Sequence, residues 1–188
     1  KMATPQSIDG VGHEVTHPRG GGENVQAVVS GDAQIGLGTG TLAVISAFVK
    51  KAPIKIAAAE ITGMDAFWYV QSSTPMRKME DLAGKKVAYS RPGASSHMAV
   101  LAIADQIKAK GLKPAEPVSL GGIPEVYTAV RTGQTDAGWS VAPFQLDLVE
   151  KGVLRVVVKG EEITAMREIT PRVHFLNNDF AAKNPDAV

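Results

Sequence analysis

The sequence predicts an α/β protein with mostly parallel sheets flanked by helices. Strand-like segments rich in apolar and β-branched residues alternate with helical ones along most of the chain, the order that produces parallel pairing. Residues 54–61 (IKIAAAEI) are almost continuously apolar, as in a strand buried on both faces. A third observation is an internal echo. Residues 27–36 (AVVSGDAQIG) recur as 129–138 (AVRTGQTDAG) at a constant offset of 102, each reading as a helix, a glycine stop and a short strand. Two similar α/β units would each present strand C-terminal ends to a shared cleft, where ligands of open α/β sheets bind.

Taken in order, residues 1–10 read as an irregular lead-in and 12–18 (GHEVTHP) as a short alternating strand. After the turn Arg19-Gly20-Gly21-Gly22, residues 23–30 form a helix with Val25, Val28 and Val29 on one side, stopped by Gly31. Residues 33–37 form a strand, and 36–41 (GLGTGT) a glycine-rich turn into an apolar helix ending near Lys50. Strands follow at 54–61 and 67–71, then a loop over 72–77, one helical turn at 79–83 and a strand at 87–89. A helix from Ser95 to about Lys110 stops at Gly111. The remainder reads as a strand at 117–120, a helix at 124–132 stopped by Gly133, and a strand at 136–139. A helix at 143–151 stopped by Gly152 and a strand at 153–158 come next, then a polar stretch of no clear type at 161–170. A strand at 172–176 and a short helix from Asp179 to Lys183 complete the pattern.

With 188 residues, 44% of them hydrophobic, the chain is long enough for a real core in one domain or two small lobes. A formal net charge of +1 gives no field that would draw nucleic acid or an anionic membrane. There is no cysteine, which removes thiolate metal sites, thiol nucleophiles and disulfides together. The longest apolar runs fall far short of a membrane span.

The most informative stretch is residues 86–104, KVAYSRPGASSHMAVLAIA. A strand, a Pro92-Gly93 turn and a helix opening on Ser95, Ser96 and His97 follow one another, with Met98, Leu101, Ala104 and Ile107 as the apolar stripe. Such a helix start offers free N–H groups, serine hydroxyls and the positive end of a dipole to a carboxylate, sulfonate or phosphate. Arg91, just before the turn, either pairs with an acidic ligand or is a solvated loop arginine. The 36–41 glycine stretch matches neither G-x-G-x-x-G nor the P-loop pattern, which leaves a turn whose N–H groups and Thr39 or Thr41 hydroxyls face a ligand or simply join strand to helix. Ser95, Ser96 and His97 are helix neighbours that point in different directions, so they form no nucleophile–base pair. His13 and His17 share a strand face two pleats apart without an acidic partner, a weak basis for a metal site. Trp68, Tyr69, Trp139 and Phe144 are the aromatics that pack a core or line a pocket, Trp139 the foremost pocket candidate.

Residues 20–36 (GGGENVQAVVSGDAQIG), 81–97 (DLAGKKVAYSRPGASSH), 133–138 (GQTDAG) with Pro143-Phe144, and 178–186 (NDFAAKNPD) resemble, in order, the sulfonate/taurine/nitrate-type substrate-binding proteins of bacterial ABC transporters. The resemblance implies the two-lobed type II periplasmic binding protein fold: lobe 1 from residues 1–64 with 172–188, and lobe 2 from 65–171, joined by crossovers near 61–67 and 159–172. It implies a non-enzymatic importer component that closes by a hinge on a small, anionic, sulfonate- or carboxylate-like solute. Gly38, Thr39 and Thr41 would contact that solute from lobe 1, and Ser95, Ser96, His97 and Trp139 from lobe 2. No cofactor or metal is implied. The partners would be the membrane permease and ATPase subunits, with no nucleic acid, and the location periplasmic or extracellular and membrane-tethered. Family members begin with a signal peptide, a strand and a helix and end in further helices, none of which is found in these residues. The cysteine-rich motif of the related thiamine-precursor binders is also not found. Two other uses of the fold remain as alternatives: the effector domain of LysR-type transcription regulators, and small biosynthetic enzymes, for which His97 is the one candidate acid or base.

Overall fold

In the computed structural model, residues 6–8, 11–13, 15–16 and 20–187 are described. They form a mixed α/β fold. The chain opens with a hairpin, β1 (Gln6–Ile8) antiparallel to β2 (Val11–His13), so the stretch expected to be irregular carries a strand. The His13–His17 pairing falls outside the described residues, because neither His17 nor the side chain of His13 is among them. Helix α1 (Gly21–Ser30) ends at Gly31 with φ +86°, the left-handed stop its sequence calls for. Strand β3 (Ile35–Gly40) absorbs most of the glycine-rich stretch, which is a strand with a left-handed turn at Gly38 (φ +59°) and not the simple strand-to-helix turn expected, and α2 (Thr41–Val49) starts directly from it.

Strands β4 (Ile54–Ile61) and β5 (Ala66–Gln71) follow, then a 3-10 turn at Met79–Leu82 and β6 (Lys86–Tyr89). Helix α3 (Ser95–Ala109), β7 (Glu116–Ser119), α4 (Ile123–Arg131), β8 (Gly138–Val141), α5 (Leu146–Glu150) and β9 (Leu154–Lys159) come next. The polar stretch at 161–170 contains two 3-10 turns, Gly160–Glu162 and Thr164–Met166. Strand β10 (Arg172–Asn177) leads into α6 (Asn178–Lys183), where the Asn177 side-chain oxygen accepts from the Asp179 and Phe180 amides.

Two three-stranded sheets repeat one plan. In the first, ordered β3-β10-β4, and the second, ordered β8-β5-β9, the central strand is the one that has just arrived from the other sheet. Each arriving strand runs antiparallel to both neighbours. That corrects the expectation of mostly parallel sheets: among the described residues parallel pairing is confined to β6 with β7 and a bridge from Val87 to Ala137. Helix-and-strand alternation does not reveal strands that enter from elsewhere and reverse the local direction. The 27–36 and 129–138 echo is real in geometry, since both glycine stops are left-handed (Gly31 φ +86°, Gly133 φ +75°) and each leads to the strand beside an arriving one.

The cores follow the sheets. Val25, Val28, Val44, Ile54, Val173 and Phe175 pack together on the first sheet. A larger cluster, including Trp68, Leu82, Val87, Val100, Ile103 and Met166, surrounds β5, β6 and α3. The buried side of α3 runs through Ala99, Val100, Ile103, Ala104 and Ile107, while Leu101 is exposed, so the stripe is rotated from the one read in sequence. Trp68 and Tyr69 are fully buried core residues and Phe144 is exposed, so none of the three lines an evident pocket. Strand β4 departs most from expectation. Only Ile54 is buried along it, and Ile56 is 49% exposed, because β4 lies at the sheet edge with a face uncovered by any other described layer. An apolar run and burial on two faces are different things when a strand has one neighbour.

Phe175 sits at 0% exposure on the central strand β10, its ring lying across Gly36. Phe175→Ala should therefore lower unfolding free energy by about 3–5 kcal/mol in denaturant titrations. The Tyr69 phenol is pushed well above its ordinary value by burial first and by Tyr127 second, and its hydroxyl has no hydrogen-bond partner among the described residues. A raised folded-state value means its contribution is complete below the unfolded value, about 10, and is lost as pH rises above it. Unfolding free energy should fall as pH rises above about 10, and Tyr69→Phe should flatten that fall.

Candidate ligand-binding site

Strand β3 carries glycine at 36, 38 and 40, and its register shifts between Gly36 and Thr39, where Gly38 is left-handed. Each is matched to a close neighbour. A Cβ at Gly36 would stand 2.1 Å from the Phe175 ring, and one at Gly38 would stand 2.9 Å from a Glu60 carboxylate oxygen. A Cβ at Gly40 would lie 2.6 Å from the Gly93 carbonyl oxygen and 3.1 Å from the Ser95 amide nitrogen. Backbone from the first sheet therefore lies directly on the entry of α3. The contact extends to Gly93 against Ala43, and to Gly20 against Arg91.

Of the residues expected to contact a ligand from the first sheet, Gly38 is left-handed (φ +59°) and donates its N–H to His174 Nδ1 at 3.1 Å. Thr39 is 2% exposed, and its hydroxyl accepts from Asn24 Nδ2 at 2.5 Å. Thr41 is bound to the segment before β10: its N–H donates to the Pro171 carbonyl at 3.0 Å and its hydroxyl to the Thr170 carbonyl at 2.5 Å. Thr39 and Thr41 thus fasten this turn to the protein, and their hydroxyl groups are already in use.

On the other side, the helix cap is Ala94 and not a serine. Ser96 is buried, and its hydroxyl accepts from the Ser90 amide at 3.1 Å and shares a 2.8 Å hydrogen bond with the Ser90 hydroxyl. His97 stacks on Tyr89 at 4.4 Å, and its Nδ1 accepts the Gly93 N–H at 3.3 Å. Ser95 is the exception. Its hydroxyl is half-buried and has no hydrogen-bond partner among the described residues, and the Ser95 and Ser96 amides are the orphan donors of the 15-residue α3. Arg91 pairs with Glu23 at 3.6 Å, an exposed contact of small energetic weight.

Trp139 lies opposite Trp68 in the β5–β8 ladder and packs, half-buried, on the larger core. Trp68 donates its indole N–H to the Ala88 carbonyl at 3.1 Å, whereas the Trp139 indole nitrogen is buried without a partner among the described residues. No hydrogen bond among the described residues links Trp139 to either turn. The structure thus brings Gly40 up to Gly93–Ser95, and leaves Trp139 outside that contact.

Four further groups at this junction were not singled out in the sequence. Arg172 places Nη2 2.6 Å from Asp65 and Nε 3.2 Å from Glu60, an ion pair rather than an aligned hydrogen bond in the second case. Glu60 overhangs Gly38, and His174 and Asn24 hold the glycine strand. A glutamate next to last in a mostly apolar strand was the one available signal. No cluster of three or more metal-ligating side chains exists among the described residues. Two grooves lie elsewhere. One of about 590 Å³ runs between Met98, Leu101 and Asp105 of α3 and the segment carrying Met166 and Ile169; the other, about 390 Å³, is lined by Met64, Phe67, Leu146 and Lys159.

Comparison with solved structures finds the same fold in several binding proteins. The alkanesulfonate-binding protein SsuA of Xanthomonas axonopodis pv. citri, solved with MOPS, matches at TM-score 0.69 and 21% identity over 88% of this chain and 55% of that one. The periplasmic aliphatic sulphonate-binding protein SsuA of Escherichia coli matches at TM-score 0.70 and 24% identity, over 89% and 52%. A substrate-binding protein of an amino acid ABC transporter matches at TM-score 0.60 and 14% identity, over 97% and 87%. These likenesses establish the periplasmic-binding-protein-like fold, and the chain spans about half the length of the two sulfonate binders. No curated protein matches in sequence. The model of the NMT1/THI5-like family matches residues 9–188, and the chain belongs to that family.

Proposed function

We propose that this protein is the solute-binding component of a bacterial ABC importer and takes a small anionic organic solute, sulfonate- or carboxylate-like, between two lobes. Lobe 1 comprises residues 1–64 with 172–188, and lobe 2 residues 65–171. The observation that carries the reading is the seating of Gly40 against Gly93–Ser95, which brings the end of a first-lobe strand to the N-terminus of a second-lobe helix. The Ser95 hydroxyl and the Ser95 and Ser96 amides supply donors at the positive end of α3, suited to an anion once the turn lifts away. Trp139, with an indole N–H in need of an acceptor, packs the organic part. In that reading Gly38, Thr39 and Thr41 shape the first-lobe wall, and Ser96 and His97 hold the second-lobe turn in place.

Closure would be a hinge at the two crossovers, where Arg172 joins Asp65 and Glu60. The permease and ATPase subunits would be the downstream partners, and the binding protein itself would be periplasmic or tethered outside the cell. Among the described residues no helix is long and apolar enough to cross a membrane. His97, the candidate acid or base of an enzymatic reading, has Nδ1 occupied by the Gly93 amide and its ring against Tyr89.

The direct test is a thermal-shift series with a short alkanesulfonate, an alkyl carboxylate, nitrate and a pyrimidine. A solute at 100 times its Kd should add about 2.7 kcal/mol of stability. A shift with the sulfonate or carboxylate is the expected result; silence across all four with a folded sample overturns the reading. Against the solute that shifts, Ser95→Ala should weaken binding about tenfold or more, since it removes a hydrogen bond to a charged group. Gly40→Val should hold the strand end off Gly93 even without solute, seen by small-angle scattering as a radius of gyration larger than that of the parent protein.

A further inference from the structure

The two turns that meet at Gly40 are held by the same device from opposite sides. Gly38 (φ +59°) donates its N–H to His174 Nδ1 at 3.1 Å, and Gly93 (φ +83°) donates its N–H to His97 Nδ1 at 3.3 Å. Both glycines are left-handed, and both N–H groups depend on an imidazole nitrogen as acceptor. We infer that His174 and His97 are positioning residues of the site, each latching one glycine turn through its ring Nδ1, and that protonation of the rings releases both turns. The inference rests on reading the Gly38 and Gly93 turns as the two walls of the solute site.

The chemistry allows only one direction. A neutral imidazole accepts at Nδ1 when Nε2 carries the hydrogen; the imidazolium donates at both nitrogens and faces the amide with a like-polarised N–H. The latch is present while the ring is neutral and is lost once Nδ1 takes a proton.

The charged surroundings are few. Around His97, Tyr89 of β6 is the stacked group, and Arg91, paired with Glu23 of α1, lies in the preceding turn. Helix α2 and the 3-10 turn at Thr164–Met166 carry no charged residue. Lys86 of β6 and Glu116 of β7 stand three residues before Tyr89 and Ser119, at the far ends of their strands. Glu80 pairs with Lys110 just beyond the opposite end of α3, and Asp81 binds the amides of Arg77 and Lys78. Further along α3 lie Asp105 and Lys108. Around His174, the neighbours are Glu60 of β4 and Arg172 of β10, already paired with each other. Lys55 lies across from Leu176, Asp179 and Lys183 lie on α6, and Glu23 lies on α1. Strand β3 and α2 contribute no charge.

The test needs no solute, so a negative binding screen leaves it decisive in its own right. Amide hydrogen exchange at Gly38 and Gly93 is read by NMR between pH 8 and pH 5, corrected for intrinsic rates. Both amides should be protected at pH 8 and lose about tenfold protection by pH 5, while core amides such as Val100 and Ile103 keep theirs. His174→Ala should unprotect Gly38 alone, and His97→Ala Gly93 alone. His174→Asn and His97→Asn, which present a carbonyl oxygen that does not titrate, should keep protection and flatten the pH profile. Protection that does not change with pH, or that falls equally at Gly38, Gly93 and the core, overturns the inference. The wild-type pH series decides the matter even for a variant that does not fold.

Discussion

The arrangement depends on how closely the chain passes itself where it moves between the two sheets. The outward passage runs from β4 to β5 and the return passage from β9 to β10. Gly160 and Met64 meet there at a distance that admits no side chain: a Cβ on Gly160 would fall 1.9 Å from the Met64 carbonyl oxygen. The Gly63 amide donates to the Ile169 carbonyl at 2.9 Å, and Arg172 reaches back to Asp65 and Glu60. Because the two passages are bound together, each delivers its strand into the middle of the opposite sheet. Antiparallel pairing at both sheet centres is the result.

The same economy of side chains governs the site. A strand with glycine at every second position gives up packing and conformational stability in return for direct backbone approach. On β3 the three glycines receive an aromatic ring, a carboxylate and the entry of a helix in succession. The polar groups around it are largely engaged with one another, as Asn24 with Thr39, Thr41 with Thr170 and Ser90 with Ser96. Among the side chains of this contact, the Ser95 hydroxyl is left without a hydrogen-bond partner among the described residues.

Local signals in the sequence were faithful wherever structure is local. Gly31, Gly111, Gly133 and Gly152 ended their elements as read, all at positive φ, and the bounds of β4 and β10 fell within a residue of those expected. What failed required knowledge of distant neighbours. The glycines of 36–41 looked like a turn because nothing local tells that Phe175, Glu60 and Gly93 occupy the missing side-chain space. Ser96 looked like a ligand donor, yet its hydroxyl serves Ser90 at the end of β6. His174 drew no attention in RVHFLN, since its partner is 136 residues away. Strand direction was hidden for the same reason, as an arriving strand carries no mark of its origin.

The outward side of the first sheet bears on how the protein behaves in bulk. Leu42, Ile45, Phe48 and Val49 of α2 are exposed, as are Ile35 and Leu37 of β3 and Ile56 of β4. Helix α2 is apolar on every side, a composition usually met only in buried helices. Lys55 and Glu60 are the only charges on β4, too few to blunt a sheet edge against its own kind. Salt will therefore act on this molecule by two routes that both favour association. It screens the weak repulsion of a nearly neutral surface and strengthens the cohesion of its oily flank, so colloidal solubility should be governed by α2 and β4 rather than by net charge.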